Sequence, residues 1–180
     1  MNPPLAIAHS HMPIFRVVRV GWKNSLDSSF STTARDNRWN DATFPALYCC
    51  CSEDVSRAVA RDLFRLAGVE LADLQPSFRP RLVEVRWKGT VVDAVSPEGL
   101  RAAGLPENYP AAIEKSDTRL RAGRWHAARL EGVVCRSSSL YRLGLRVWTG
   151  AHELWSEIAV FTDNVADAPA IIGDRLDFTW

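Results

Sequence analysis

Four polar side chains lie within or beside predicted apolar strands and have the chemistry of a ligand site: Arg16, Arg38, Tyr48 and Ser137. Arg16 lies inside the run IFRVVRV, Arg38 precedes the run FPALYCCC, and Tyr48 lies within that run. An arginine in an apolar strand must find an anion or lie on a solvated face. Because a guanidinium binds phosphate through two parallel N–H donors, the arginines suit a phosphate-bearing ligand.

Each of these side chains also has a structural interpretation, which the sequence leaves open. The two arginines can be salt-bridge partners, Tyr48 can be a core residue with a bonded hydroxyl, and Ser137 can be a loop serine after GVVCR. No glycine-rich phosphate loop and no G-x-S-x-G elbow occurs in the sequence. The familiar short motifs therefore do not decide between the two interpretations.

Three consecutive cysteines, Cys49 to Cys51, raise the question of a metal or thiol site. Adjacent cysteines rarely form a disulfide, and a tetrahedral zinc site needs ligands that are spaced along the chain. A free cysteine behaves as a small buried hydrophobe. We therefore expect no metal and a strand that is apolar on both faces, with Leu47, Cys49 and Cys51 on one face and Tyr48 and Cys50 on the other.

The composition bounds the class of protein. The 180 residues are 47% apolar and carry a net charge of +1, which predicts one domain with a sizeable core and no strong attraction to nucleic acid or membrane surfaces. No apolar run is long enough to span a bilayer, and the N-terminus has no basic region typical of a signal peptide. A cytoplasmic location is the expectation.

The elements that must position these residues alternate between strands and helices, which predicts an α+β domain. Strands are predicted at 14–20, 45–51, 81–87, 90–93, 132–136, 143–148 and 157–162. Helices are predicted after Ser52, at 97–104 and at 116–130. In the first helix Ser52 is the expected N-cap and Gly68 the residue after the end. The expected core-facing stripe of that helix is Val55, Val59, Leu63 and Leu66.

In their order and spacing these segments resemble the RES-domain family. The matching segments, across residues 14–164, are FR, RWN, FPALY, LVEVRW, DAVSPEGLRAAGL, EGVVCRS and IAVFTDN. The resemblance implies a single α+β domain with a mixed or antiparallel split sheet and flanking helices, similar to diphtheria-toxin-like ADP-ribosyltransferases. Residues 1–13 are then an N-terminal extension, and residues 165–180 are a C-terminal tail that is packed on the domain or loosely attached to it.

The resemblance also assigns site residues. Arg16 matches the arginine of the family's first strand, Arg38 that of its Gly-Arg-Trp-Asn motif, and Tyr48 the tyrosine of its next strand. Ser137 matches the family serine, although Arg136 stands where most members have proline. All four residues are expected to bind the ligand, and Arg38, Tyr48 and Ser137 are expected to act in catalysis.

Known members of the family act on NAD, by hydrolysis, by phosphorolysis or by transfer of ADP-ribose to a protein, and many are toxins paired with an antitoxin. The resemblance thus implies an enzyme that cleaves the nicotinamide–ribose bond, with NAD as substrate, no metal, an antitoxin partner and no nucleic-acid or membrane partner. A homodimer is left open. The alternative is a catalytically degenerate domain on the same fold that binds a nucleotide or a protein.

One departure from the family motivates this alternative. The family glutamate lies on the helix after the tyrosine strand, where this sequence has Val59. Cleavage of the bond passes through an oxocarbenium-like state, which a carboxylate stabilises. Asp62 is three residues further on, about 60° around the helix, and is the candidate replacement. Its alternative role is a surface ion pair with Arg65 or Arg61.

Overall fold

The computed structural model describes residues 3–10, 13–19, 21–34, 37–70, 73–144 and 152–175. Eight strands lie within these ranges: β1 (Ala6–His9), β2 (Ile14–Val18), β3 (Ala46–Cys50), β4 (Arg81–Arg86), β5 (Gly89–Ala94), β6 (Gly132–Arg136), β7 (Ser156–Phe161) and β8 (Ala170–Arg175). The same ranges contain four α-helices: α1 (Glu53–Leu66), α2 (Pro97–Ala102), α3 (Lys115–Ala127) and α4 (Ser138–Arg142).

The strands form one mixed sheet in the order β1-β5-β6-β7-β3-β2-β4-β8. All neighbouring strands are antiparallel except β5 and β6, which are parallel. The two halves of the sheet meet between β2 and β3, where the register contains the single pair Phe15 and Cys50. The predicted single α+β domain with a mixed sheet and flanking helices is confirmed.

Both chain ends contribute to this sheet. β1 is antiparallel to β5 and β8 is antiparallel to β4, so the segments expected as an N-terminal extension and a C-terminal tail supply the two edge strands. Arg175 of β8 also forms ion pairs with Glu53 of α1 and Glu84 of β4. These contacts connect the last described strand to the first helix.

The two faces of the sheet have different cover. On the helix face, two apolar clusters pack under the four helices, one around Trp39, Trp125 and Tyr109 and the other around Phe15 and Val55. On the loop face, the strands pack against loop residues that include Trp22, Leu26 and Val165. The predicted alternation of β3 is confirmed, because Leu47 and Cys49 belong to the loop-face cluster and Tyr48 and Cys50 to the helix-face clusters.

The predicted ends of α1 are confirmed, but its predicted apolar stripe is wrong in the second half. The Ser52 hydroxyl accepts a hydrogen bond from the Val55 N–H at 3.3 Å, and Gly68 follows the helix with a positive φ of 72°. Leu63 and Leu66 are 56% and 64% exposed. Every buried residue of α1 precedes Leu63, since only the first part of the helix lies over the sheet.

The other two predicted helices are also present. Ser96 caps α2 with Pro97 at its first position, and α3 covers most of the predicted segment 116–130. Most of the strand predicted at 143–148 falls on residues 145–150, which lie outside the described part of the chain. In the described part, none of the helices has the length and the apolar character that a bilayer crossing requires.

Candidate functional site

Arg38 has the most unusual environment of the predicted site residues. It lies in the segment before β3, half-buried, and its Cζ is 5.8 Å from the centre of the Tyr109 ring. Its Nη1 is buried and has no hydrogen-bond acceptor among the described residues. A buried guanidinium nitrogen without an acceptor costs free energy, because it has lost its water. The position therefore suits an anion supplied by a ligand.

The backbone around Arg38 is held rigidly by its neighbours in the RWN triplet. The Trp39 N–H donates to the Tyr48 hydroxyl at 2.9 Å, and that hydroxyl donates to Asn40 Oδ1 at 2.9 Å. The Trp39 indole donates to Cys135 Sγ at 3.2 Å, and Thr118 Oγ1 donates to the Arg38 carbonyl at 2.7 Å. Three separate elements thus fix the position of Arg38.

Tyr48 lies on the helix face, next to Arg38 in space as well as in the predicted site. Burial raises the pKa of Tyr48 well above its ordinary value, although hydrogen bonds from its neighbours oppose this. The hydroxyl is therefore neutral at physiological pH. The hydroxyl orients Trp39 and Asn40, and the ring packs against the apolar cluster that contains Trp39.

The Tyr109 ring lies beneath the Arg38 guanidinium, and the sequence analysis did not identify this residue. It is fully buried, and burial raises the pKa of its hydroxyl well above the ordinary value. Arg136 holds its loop, since Nη1 donates to the carbonyls of Glu107 at 2.7 Å and Tyr109 at 3.3 Å. Arg136, which stands in place of the family proline, therefore positions the Tyr109 ring. A tyrosine between two prolines, in the segment PENYP, was the available signal.

Ser137 is paired with a second residue that the sequence analysis missed, Glu157. The Ser137 hydroxyl donates to Glu157 Oε1 at 2.6 Å and accepts from the Leu140 N–H at 3.2 Å, which caps α4. Glu157 lies in β7 directly between Cys50 of β3 and Cys135 of β6. A sequence signal was available for Glu157. In the predicted strand EIAVF, alternation places this glutamate on the same face as two apolar residues, Ala159 and Phe161.

Arg16 lies apart from the other three predicted residues. It belongs to the loop face, whereas Tyr48 is on the helix face. Its Nη1 donates to the Ser25 carbonyl at 2.7 Å and its Nη2 to the Asp27 carbonyl at 3.0 Å. Its Cζ lies 5.5 Å from the centre of the Trp22 ring, and burial lowers the pKa of Arg16. The contacts of Arg16 hold the loop 22–27 on the sheet.

Asp62 connects two helices. Its side chain accepts from Arg142 Nε at 2.8 Å and from Arg65 Nη2 at 3.3 Å. The expected pairing with Arg65 is therefore present, but the expected surface position is wrong, because Asp62 is fully buried between the two helices. Burial raises the pKa of Asp62, but hydrogen bonds from Arg142 and Ser139 and the nearby positive charge outweigh burial and lower it overall. Its charge is matched within the fold, and its predicted catalytic role stays a prediction.

Val59 occupies the position of the family glutamate and packs against the apolar cluster that includes Phe15, Cys50 and Leu82. This cluster adjoins Glu157, because Cys50 is the residue opposite Glu157 in the register. α1 therefore contributes an apolar side chain near the site, and the carboxylate nearest to Ser137 comes from β7.

The cysteines belong to the core, as predicted. No disulfide joins the four cysteines, which all lie in the described ranges and are at most 4% exposed: Cys49, Cys50, Cys51 and Cys135. Burial raises the pKa of Cys49 and of Cys135 to about 12, and that of Cys50 well above its ordinary value. Across the described ranges, no group of three or more His, Cys, Asp or Glu side chains is arranged to hold a metal ion.

The fold and these residues define an α+β domain with a polar site on the helix face of a mixed sheet. The family model for the RES domain matches residues 13–180, and the chain belongs to this family.

Among solved structures, the chain is similar to a chain in the crystal structure of the M. tuberculosis MbcT–MbcA toxin–antitoxin complex. The two are 15% identical, with a TM-score of 0.72, and the match covers 94% of this chain and 85% of that chain. At this identity the likeness establishes a shared fold. A comparison with curated proteins finds no match.

Proposed function

We propose that this protein consumes NAD by cleaving the bond between nicotinamide and ribose. The observation that carries the proposal is the partly buried guanidinium of Arg38, which lies over the Tyr109 ring with Nη1 lacking a hydrogen-bond acceptor among the described residues, in a member of the RES family. A dinucleotide contains a pyrophosphate that would supply the missing acceptors. Arg38 then binds the pyrophosphate, and its backbone needs no rearrangement because Trp39, Tyr48 and Thr118 already fix it.

The aromatic residues supply the second requirement of the reaction, a fixed position for the nicotinamide. Tyr48 presents a ring and a neutral hydroxyl, and the Tyr109 ring lies beneath Arg38. The Ser137 hydroxyl is fully buried and donates to Glu157, so its part in the site is to hold that carboxylate. When the bond breaks, its electron pair leaves with the nicotinamide nitrogen and C1′ becomes electron-poor. Water, phosphate or a protein side chain then bonds to C1′ and loses a proton.

The biological role that we propose is that of a toxin with a cognate antitoxin. Membership of the RES family supports this role, and so does the shared fold with a chain from a toxin–antitoxin complex. Expression of the chain alone should arrest growth, and co-expression of a cognate antitoxin should restore growth. Growth arrest by an Arg38→Ala variant that is equally abundant would contradict a toxicity that depends on NAD.

The second candidate is a domain that binds NAD without cleaving it. The observation that favours it is Val59, an apolar residue where the family has its glutamate. Without a carboxylate near C1′, binding could persist while the bond remains intact. The two candidates share the Arg38 site and differ only in turnover.

Incubation of the purified protein with NAD, with and without phosphate, tests the first candidate through release of free nicotinamide. Nicotinamide should accumulate with the wild type and be strongly reduced with Arg38→Ala. Titration calorimetry provides the second measurement. Heat of NAD binding without nicotinamide release, at high protein concentration and with protein acceptors present, would favour the binding domain. Absence of both signals would eliminate NAD as the ligand.

A further inference from the structure

Two opposite charges on the helix face lack charged partners among the described residues, although both lie against the same apolar cluster. The Arg38 guanidinium lies over the Tyr109 ring, Glu157 lies opposite Cys135 in the sheet, and Tyr109 and Cys135 belong to that one cluster. Within the described residues, however, neither forms an ion pair, and Arg38 Nη1 has no hydrogen bond at all. Opposite charges in a partly buried region attract more strongly than they do in water, yet the fold does not pair these two within 4.0 Å.

Glu157 itself interrupts an apolar row. Across the sheet, the register aligns Phe15, Cys50, Glu157, Cys135 and Ala94 on neighbouring strands. The other four members of this row are all at most 8% exposed. Glu157 is half-buried at the boundary between the two apolar clusters of the helix face, with Cys50 in one cluster and Cys135 in the other. An apolar residue in this position would complete the core.

Only one oxygen of Glu157 is used by the fold. Oε1 accepts from the Ser137 hydroxyl at 2.6 Å, whereas Oε2 has neither a hydrogen-bond donor nor a cation in the part of the chain that is described. Oε2 is not enclosed completely by the protein, so this oxygen keeps some contact with solvent. Ser137 thereby fixes the carboxylate and leaves one oxygen available to a ligand.

A second glutamate in the same row provides an internal comparison. Glu84 of β4 is aligned with Phe15 and so lies on the helix face, as Glu157 does. Glu84 forms an ion pair with Arg175 at 2.7 Å. The fold thus neutralises the carboxylate at the end of the row and leaves the carboxylate in the middle unpaired.

We propose that Glu157 is the catalytic carboxylate of this protein and replaces, from β7, the family glutamate whose position on α1 is occupied by Val59. This proposal rests on the proposed cleavage of NAD. The free Oε2 faces C1′ of the ribose while Arg38 holds the pyrophosphate. As the bond to nicotinamide breaks and its electron pair departs with the nitrogen, the negative charge of Glu157 stabilises the positive charge that develops on the ribose. Ser137 is a positioning residue that acts through Glu157.

The proposal accounts for features that the α1 candidates do not explain. Asp62 has its charge matched by Arg142 and Arg65, so little of that charge remains for a ligand. Val59 has no charge. Glu157, by contrast, accepts a hydrogen bond directly from Ser137, the buried residue that matches the family serine. A catalytic role of Glu157 gives this serine a function, which is to orient the carboxylate.

The test is Glu157→Gln, with Glu84→Gln as the matched control. Glutamine keeps the shape of the side chain and still accepts from Ser137, so the cap of α4 remains. The turnover number for nicotinamide release should fall about 10²–10³-fold in Glu157→Gln, the usual scale for the loss of one preorganised electrostatic group. The dissociation constant for NAD should change little, because the lost interaction belongs to the transition state. Glu84→Gln should keep both values.

Two outcomes overturn the assignment alone, and a third refutes the proposed function together with it. Nicotinamide release by Glu157→Gln at the wild-type rate would remove Glu157 from catalysis while leaving NAD cleavage established. A loss of turnover accompanied by an equal loss of NAD binding or a large drop in Tm would assign Glu157 to binding or to the fold. A wild type that binds NAD and releases no nicotinamide would refute both proposals together.

Discussion

The two faces of the sheet hold their buried arginines in different ways. On the loop face, two N–H groups of Arg16 donate to carbonyls at 2.7 and 3.0 Å, and the guanidinium stacks over Trp22. On the helix face, Arg38 keeps a buried nitrogen without an acceptor, and Glu157 keeps an oxygen without a donor among the described residues. Both arginines match family positions, yet only one of them has its hydrogen bonds provided by the fold.

We infer from this difference that Arg16 stabilises the fold, whereas Arg38 and Glu157 are available to bind a ligand. Hydrogen bonds to a charged group stabilise a fold by about 1.5–3 kcal/mol each, whereas a buried charge without partners costs free energy. The loop face is therefore expected to contribute to stability and the helix face to binding. The following four experiments test this separation, from the largest expected effect to the smallest.

Arg16→Gln should destabilise the protein by about 3–5 kcal/mol, since it removes two charge-assisted hydrogen bonds from a buried position. Chemical denaturation gives the free energy of unfolding. The affinity of the remaining folded molecules for NAD should be unchanged, because Arg16 lies on the opposite face from Tyr48. A stable Arg16→Gln variant with weakened NAD binding would show that both faces serve the ligand and would break the comparison.

Arg38→Gln should weaken NAD binding about 10- to 100-fold, which corresponds to the loss of one charge-assisted contact to phosphate. The free energy of unfolding without ligand should stay the same or rise, because the substitution removes a guanidinium with an unsatisfied nitrogen. Calorimetric titration and denaturation measure the two quantities. If the variant unfolds easily while its folded fraction binds NAD normally, Arg38 belongs with Arg16 as a structural residue.

Asp62→Asn should lower stability by about 2 kcal/mol near neutral pH, because the buried carboxylate joins α1 to α4 through Arg142. The folded-state pKa of Asp62 lies below its ordinary value of 3.8, so this stabilisation is present above pH 3.8 and is lost as the pH falls through the lowered pKa. Unfolding curves at several pH values should show the gap between wild type and variant closing in acid. Unchanged stability together with a large loss of turnover would return Asp62 to the catalytic site.

Cys50→Ala should cost about 1 kcal/mol, as expected for a small cavity in a closed core. The thiols of Cys49 on the loop face and Cys50 on the helix face should react with a thiol reagent only after unfolding, because burial raises the pKa of both. Mass spectrometry of native and denatured samples measures the labelling. Rapid native labelling of Cys50 but not Cys49 would show that the helix face opens to solvent at Glu157.

Local features of the fold were readable from short segments. Ser52 and Ser96 cap their helices, as the sequence predicts. The predicted alternation of β3 is also correct, since its cysteines lie on opposite faces of the sheet and both faces are buried. Each of these depends on residues within a few positions of one another. The resemblance that identified Arg38, Tyr48 and Ser137 is likewise a property of local motifs and their order.

Contacts between distant segments were not readable in this way. Arg142 pairs with Asp62 from 80 residues away, and Glu157 lies beside Cys50 and Cys135 only because β7 enters the sheet between β3 and β6. Alternation along one strand tells which residues share a face, but the neighbours of that face depend on strand order and register. Hydrogen bonds between strands far apart in sequence determine both. The tertiary structure alone therefore decided that Arg16 and Arg38 lie on different sides of the sheet, and that a carboxylate from β7 reaches Ser137.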